Sequence, residues 1–325
     1  TMPPRSSFAS TATDERRELL ADLRAAVEAA LEGKPEVVEL ALTALLARGH
    51  ILIEDVPGVG KTTLARALAK AVGADMTRVQ FTSDLLPSDL LGVSIFDQRT
   101  SEFQLRKGPI FTHVLLADEI NRASPRTQSA LLEAMNDDQV SLEGTAIPLP
   151  KPFIVLATQN PQDFAGTFPL PESQLDRFMV RISIGYPPPH VETRIILEPE
   201  TDRVKQVEPV MTPVHLVQLQ DAVDQVRIDH SLATYLQALI TATRSSPHLS
   251  LGASPRAGKS LARAARARAL LLGRNYCIAD DIHDIATPLL AHRVRLSAHA
   301  DGYVPTRQES EAALRDLVAR VPVPL

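Results

Sequence analysis

The chain of 325 residues has room for one large domain or two of ordinary size, and a hydrophobic fraction of 44% is ample for a buried core. A formal net charge of -5 argues against a dedicated nucleic-acid binder, although it leaves room for a local basic groove. The single cysteine, Cys277, excludes an internal disulfide framework and fits a small core residue better than a nucleophile, since no activating neighbour is evident in the sequence.

In chain order, residues 1–13 are rich in Ser, Thr, Pro and Ala and read as a disordered tail. Leu19, Leu20, Leu23, Val27 and Leu31 recur at helical spacing over 14–31, and a second helix spans 35–47 with Pro35 at an allowed first-turn position. The apolar run Ile51-Leu52-Ile53 then leads through a Gly/Pro turn into an Ala/Leu-rich helix to Leu68. Residues 77–81 read as a short strand, 83–92 as a short helix, and 93–105 as a hairpin of two alternating runs. The run 112–117 is long enough for a buried strand and ends in Asp118-Glu119. A helix over 126–135, a second hairpin over 140–149 and strands over 153–158 and 180–184 follow. Tyr186-Pro187-Pro188-Pro189 is the clearest linker; beyond it strand signals stop, and helices are expected near 190–197, 212–226, 231–245, 257–272, 279–290 and 308–321. The expected architecture is an α/β domain over 14–186 and a smaller all-helical domain over 187–325. No apolar run reaches membrane-spanning length and no signal-peptide core is evident, so the cytoplasm is the expected location.

The strand–turn–helix joint carries the strongest chemistry. The first amides of a helix lack internal partners and can hold a phosphate. Gly58 and Gly60 let the loop close around an anion, Lys61 would reach the β/γ-phosphates, and the Thr62 hydroxyl would hold Mg²⁺. The loop therefore reads as a Walker A motif, with Pro57, Gly58, Val59, Gly60, Lys61, Thr62 and Thr63 as the nucleotide-binding residues and Asp55 in place of the usual first glycine. Two acids after a buried strand complete such a site: Asp118 for the Mg²⁺ shell and Glu119 to polarise the attacking water. Asn160, after the next buried strand, suits water positioning, and Arg177 and Arg256 are candidates for stabilising the charge of the transferring phosphoryl group. Residues 253–260 match the phosphate-loop pattern a second time, but no central strand precedes them and no acidic strand follows; Lys259 reads as an exposed helix residue. His292 and His299 lack metal-ligand spacing, and Arg263, Arg266 and Arg268 read as a solvated or inter-subunit helix face rather than a nucleic-acid patch.

The strings 54–62, 116–123, 157–161, 170–178 and 252–256, in this order, resemble the MoxR family of AAA+ ATPases, of the helix-2-insert branch. The resemblance implies an α/β P-loop NTPase core with a parallel sheet flanked by helices, followed by a helical lid. It implies ATP and Mg²⁺ as ligands, Asn160 as sensor 1, Arg177 as an arginine finger reaching a neighbouring subunit and Arg256 as sensor 2, in cis or in trans. A homo-oligomeric ring, most simply a hexamer, follows, with the two hairpins lining a pore. The implied work is chaperone-like remodelling of a protein client, with von Willebrand factor A domain proteins as partners. A nucleotide-gated scaffold with little turnover and a nucleic-acid motor are the alternatives, the latter disfavoured by the acidic balance.

Overall fold

A five-stranded parallel sheet organises the N-terminal half of the molecule, seen here in a computed structural model. The structure describes residues 7–99, 101–142, 144–160, 166–197, 202–297 and 306–324, with side chains from residue 14 onward. Helices α1 (Ser7–Ala30) and α2 (Pro35–Leu46) precede strand β1 (His50–Glu54) and helix α3 (Lys61–Ala71). Strand β2 (Met76–Gln80), a short α4 (Pro87–Leu91) and the hairpin β3 (Gly92–Asp97)–β4 (Glu102–Lys107) lead to β5 (Val114–Asp118). Then come α5 (Pro125–Asp137), a second hairpin β6 (Gln139–Leu142)–β7 (Thr145–Pro148), β8 (Ile154–Gln159), the single turn α6 (Glu172–Leu175) and β9 (Phe178–Ile182). The C-terminal part holds α7 (Pro189–Leu197), α8 (Pro213–Val223), α9 (His230–Ser245), β10 (Leu249–Leu251), α10 (Pro255–Leu271), α11 (Ala279–Leu290), β11 (Arg295–Leu296) and α12 (Arg307–Arg320).

The strand order is β2-β5-β8-β1-β9, so the strand bearing the phosphate loop and the strand bearing the two acids flank β8. These strands are continuous apolar runs because both faces of a parallel sheet are covered. Alternate residues feed two cores. Ile51, Leu116 and Leu156 join α1–α3 and the lid helices on one face, while Leu52, Leu115 and Val155 join α5 on the other. The β3–β4 hairpin leaves its root where Gly92 and Gly108 stand back to back; a Cβ on Gly92 would lie 2.3 Å from Arg106 O.

Three sequence expectations change. Helix α1 begins at Ser7, where a disordered stretch to residue 13 was expected; Ala9 and Ala12 carry the helix outward at little cost, and no proline interrupts it after Pro4. Strand pairing does not end at the Pro-rich linker: β10 and β11 form a two-stranded antiparallel ribbon at the edge of the lid, too short to show an alternation. Arg263, Arg266 and Arg268 do not form a free basic face. Arg268 pairs with Glu39 of α2 and with Asp281 and Asp284 of α11, Arg263 pairs with Asp224, and Arg266 donates to Val226 O. Segment 202–211 returns to the α/β domain, where Lys70 Nζ donates to Lys205 O and the Met211 amide to Ala71 O. Cys277 is buried, and burial pushes its thiol up to about 12, as suits an inert core residue. Among the described residues no helix is long and apolar enough to cross a membrane.

Two buried histidines tie the sheet together as neutral rings. His50 accepts the Val155 amide at Nδ1 and donates from Nε2 to Met135 O, and burial lowers its pKa below the ordinary value. His292, from the turn after α11, donates from Nε2 to Phe178 O, and burial holds its pKa well below the usual value. A base with a depressed folded pKa binds more protons unfolded, so its contribution is complete above the unfolded pKa and falls away as pH drops below it. Each ring can therefore contribute up to about 1.4 kcal/mol of destabilisation between pH 7.5 and 5.5, given an unfolded pKa near 6.5. Urea unfolding at these two pH values should differ by up to about 3 kcal/mol, and His50→Asn should show roughly half that dependence. An unchanged pH dependence in His50→Asn would contradict the neutral-ring assignment.

Candidate nucleotide site

Strand β1 delivers the chain to a loop over 55–60, and α3 starts at Lys61. Gly58 has φ +84° and Gly60 has φ +100°, a left-handed backbone that residues with a side chain adopt at a cost. No atom lies within 4 Å of where a Cβ on Gly58 would stand, so bare backbone faces the cavity. No side chain caps α3, which leaves its first-turn amides to whatever anion sits in front of them. Lys61 Nζ donates to Asp55 O at 2.7 Å, and burial lowers the Lys61 pKa despite the acids nearby.

Asp55 turns out to be a strap. Its carboxylate is buried and accepts from the Val56 amide at 3.0 Å, the Ser183 hydroxyl at 3.0 Å and the Gly185 amide at 2.7 Å. The start of the loop is thus fastened to the chain leaving β9, just before the Pro-rich linker. A glycine there would make none of these bonds.

Across the cavity, β5 presents Asp118 and Glu119. Thr158 of β8, fully buried, holds both: its hydroxyl donates to Asp118 Oδ1 at 2.5 Å and accepts from the Glu119 amide at 2.9 Å. Arg78 of β2 donates to Asp118 Oδ2 from Nε at 3.1 Å and Nη2 at 2.5 Å. Gln80, two residues on along the same face, donates to Glu119 Oε2 at 2.9 Å, and Arg122 Nε lies 3.1 Å from the same oxygen. Glu119 itself has φ +57° and ψ +49°, a left-handed conformation rare outside glycine and asparagine.

A cavity of about 380 Å³ collects these groups: Pro57, Gly58, Gly60, Lys61, Thr62 and Thr63 from the loop, Arg78 and Gln80 from β2, Asp118 and Glu119 from β5, and Asn160 after β8. Val59 is buried and does not line it. The cations Lys61 and Arg78 suit a polyphosphate. Thr62 and Asp118 supply oxygen donors of the kind a hard divalent cation takes together with phosphate oxygens. Arg78, Gln80 and Thr158 were not singled out from the sequence. The alternation that puts Arg78 and Gln80 on one face of a strand was visible, but not which strand pairs with β2.

Arg177 and Arg256 lie elsewhere. They line a second cavity of about 450 Å³ between the foot of the sheet and α10, with Lys259, Arg263 and Arg293. Both arginines rest on the C-terminal part of α5: Arg177 Nη1 donates to Leu132 O at 2.5 Å and Arg256 Nη2 to Asn136 Oδ1 at 2.7 Å. Lys259 is exposed on α10; the run 253–260 forms a helix start rather than a phosphate loop.

This fold and site define a P-loop nucleotide-binding protein with a helical lid. Residues 50–180 match the model of the ATPase family associated with various cellular activities (AAA), and residues 241–316 match the AAA lid domain. The chain is 47% identical to the uncharacterized protein YeaC of Bacillus subtilis, over 90% of this chain and 91% of that protein. It is 40% identical to the chaperone MoxR1 of Mycobacterium tuberculosis, over 84% of this chain and 75% of that one. A crystal structure of a candidate ATPase from Cytophaga hutchinsonii superposes with a TM-score of 0.86 at 34% identity, covering 98% of both chains. The chain belongs to the MoxR family of AAA+ ATPases.

The Asp55 strap makes a specific forecast. Asp55→Gly, which restores the more usual loop glycine, should cost about 3 kcal/mol of stability through the two lost long-range hydrogen bonds to a charged acceptor, at about 1.5 kcal/mol each, and should weaken nucleotide binding. Urea unfolding and nucleotide titration measure both; a variant as stable as wild type would show that the strap does not hold the loop.

Proposed function

We propose that the protein hydrolyses ATP at the interfaces of a homo-oligomeric ring and uses the cycle to remodel a protein client. The observation that carries this reading is the separation of the site into two cavities. Walker A, Asp118, Glu119 and Asn160 line one, and Arg177 and Arg256 line the other. A single chain holding both halves apart is completed by a neighbour bound head to tail, the kind of contact that closes into rings. The ring is most simply a hexamer, and Arg256 acts in trans beside Arg177.

The loop amides and Lys61 would bind the phosphates, and Thr62 and Asp118 would hold an accompanying Mg²⁺, which would offset charge on the transferring group. Glu119 orients the attacking water and draws its proton, with Asn160 as second partner. The neighbour's arginines stabilise the charge that develops on the phosphoryl oxygens. The left-handed backbone at Glu119 and the Thr158 hydroxyl fix where its carboxylate starts. The hairpins β3–β4 and β6–β7 face the pore. Phe96 and Phe103, exposed and stacked edge-to-face at 5.2 Å between ring centroids, give the first hairpin an apolar patch just below its polar turn, suited to a protein client. The client includes von Willebrand factor A domain proteins, and the working compartment is the cytoplasm.

Glu119→Gln should bind ATP with wild-type affinity yet hydrolyse it at least ~100-fold more slowly, and Arg177→Ala should lose turnover comparably while its own phosphate loop still binds. Steady-state ATPase assays with parallel nucleotide titrations and sizing in ATP read these outcomes. Wild type and Glu119→Gln that assemble alike and turn over equally slowly would sink the enzyme reading in favour of a scaffold.

A further inference from the structure

Arg177 sits on a segment with little hold of its own. The turn before it, α6, has only four residues and buries none of them. Its side chain rests on α5 at Leu132 O and the chain runs on into β9 at Phe178, while the lid adds contacts through the turn that joins α11 to β11. Arg293 Nη2 donates to Asp176 O at 3.1 Å and to Phe178 O at 2.8 Å, the carbonyls on either side of Arg177. His292 Nε2 donates to the same Phe178 O at 2.9 Å. Arg293 Nε stands 3.2 Å from Asp176 Oδ1, and Arg295 pairs with Glu172 at the start of α6. Both ends of the segment bearing Arg177 are therefore in the grip of three lid residues within one short turn.

The Arg293 side chain is only 3% exposed, and neither its Nη1 nor its Nε has a hydrogen-bond partner among the described residues. Burying a guanidinium without full satisfaction is costly, and burial here pushes its pKa down to about 10. A leucine or methionine would fill such a place at lower cost if packing were all that was needed. What arginine adds is a rigid planar head that sets one nitrogen, Nη2, between the carbonyls on either side of Arg177 while Nε stands beside the Asp176 carboxylate.

We infer that Arg293, seconded by His292 and Arg295, is a positioning residue for Arg177, so that the lid and the arginine delivered to the neighbouring site move as one body. Arg256 rides on α10 of the same lid, and Arg177, Arg256 and Arg293 line one cavity. Lid rotation in one subunit thus resets both charges offered to the next. This inference rests on Arg177 acting in trans, and the experiment separates the two.

Arg293→Met should lower kcat by ~10-fold or more, a part of the ~10³-fold or greater effect of an arginine finger, with KM for ATP within about twofold of wild type because its own phosphate loop is intact. Mixed rings give the readout that a merely structural role would not move. Lys61→Ala subunits bind no nucleotide but carry a sound finger. Mixing them with Arg293→Met subunits should therefore raise activity well above the sum of the two alone. Arg177→Ala mixed with Lys61→Ala is the reference. If the reference pair complements and the Arg293→Met pair does not, Arg293 serves its own chain and the inference is overturned. If neither pair complements, the trans assignment of Arg177 fails first. Should Arg293→Met not fold, Arg293→Lys takes its place: the charge is kept, the rigid head and the nitrogen beside the Asp176 carboxylate are lost, and the same complementation is expected from an intermediate kcat. Wild-type kcat in Arg293→Lys overturns the role given to the guanidinium.

Discussion

An α-helix starts with amides that its own hydrogen bonding leaves over, and α3 starts at the edge of a parallel sheet with no side chain to take them. Much of the structure follows from presenting that helix end without letting it collapse. The loop before it has two left-handed glycines and so cannot hold its shape by backbone preference alone. It is held from outside, by the Asp55 carboxylate on one side and by the Lys61 ammonium folded onto Asp55 O on the other. The strand order then brings the acids of β5 and Asn160 after β8 into the same cavity.

The same strap has a second end. Ser183 and Gly185 leave β9 on the way to the Pro-rich linker, so the phosphate loop and the exit toward the lid share one carboxylate. Farther on, Arg307 at the start of α12 donates to Glu54 O at the end of β1, and Arg268 joins the lid to Glu39 of α2. Asp281, fully buried, gathers Arg268 and Arg274 and caps α11. Of the three arginines that read as a solvated face in sequence, Arg268 is a strut between the domains, while Arg263 and Arg266 brace α10 within the lid.

How far the sequence disclosed this depends on the range of the interaction concerned. The phosphate loop, the acids after a buried strand and both hairpins are local: glycines, apolar runs and turn residues lie within a few positions of one another. Thr158 and Arg78 escaped because their roles exist only through neighbouring strands. Nothing along the chain says that β2 and β8 both border β5. Asp55 looked like a departure from a motif because two of its three partners, Ser183 and Gly185, are about 130 residues away. The helix from Ser7 and the β10–β11 ribbon were missed for opposite reasons, the first because polar composition hid a sequence that helices tolerate, the second because two or three residues carry no periodicity. Arg177 and Arg256 were found as residues, but their shared cavity needed the fold.

Glu119 occupies a backbone conformation in which a glycine would rest more easily. The strain is on the order of 1 kcal/mol or more, and Thr158, accepting from the Glu119 amide, keeps it in place. A search for stabilising substitutions guided by backbone preference would single out this position and replace the glutamate with glycine or asparagine. The resulting protein would have a calmer backbone and would lack the carboxylate proposed above to activate water. Selection for thermal tolerance and selection for turnover therefore pull in opposite directions at one residue, and a heat-adapted relative has to find its added stability elsewhere in the chain.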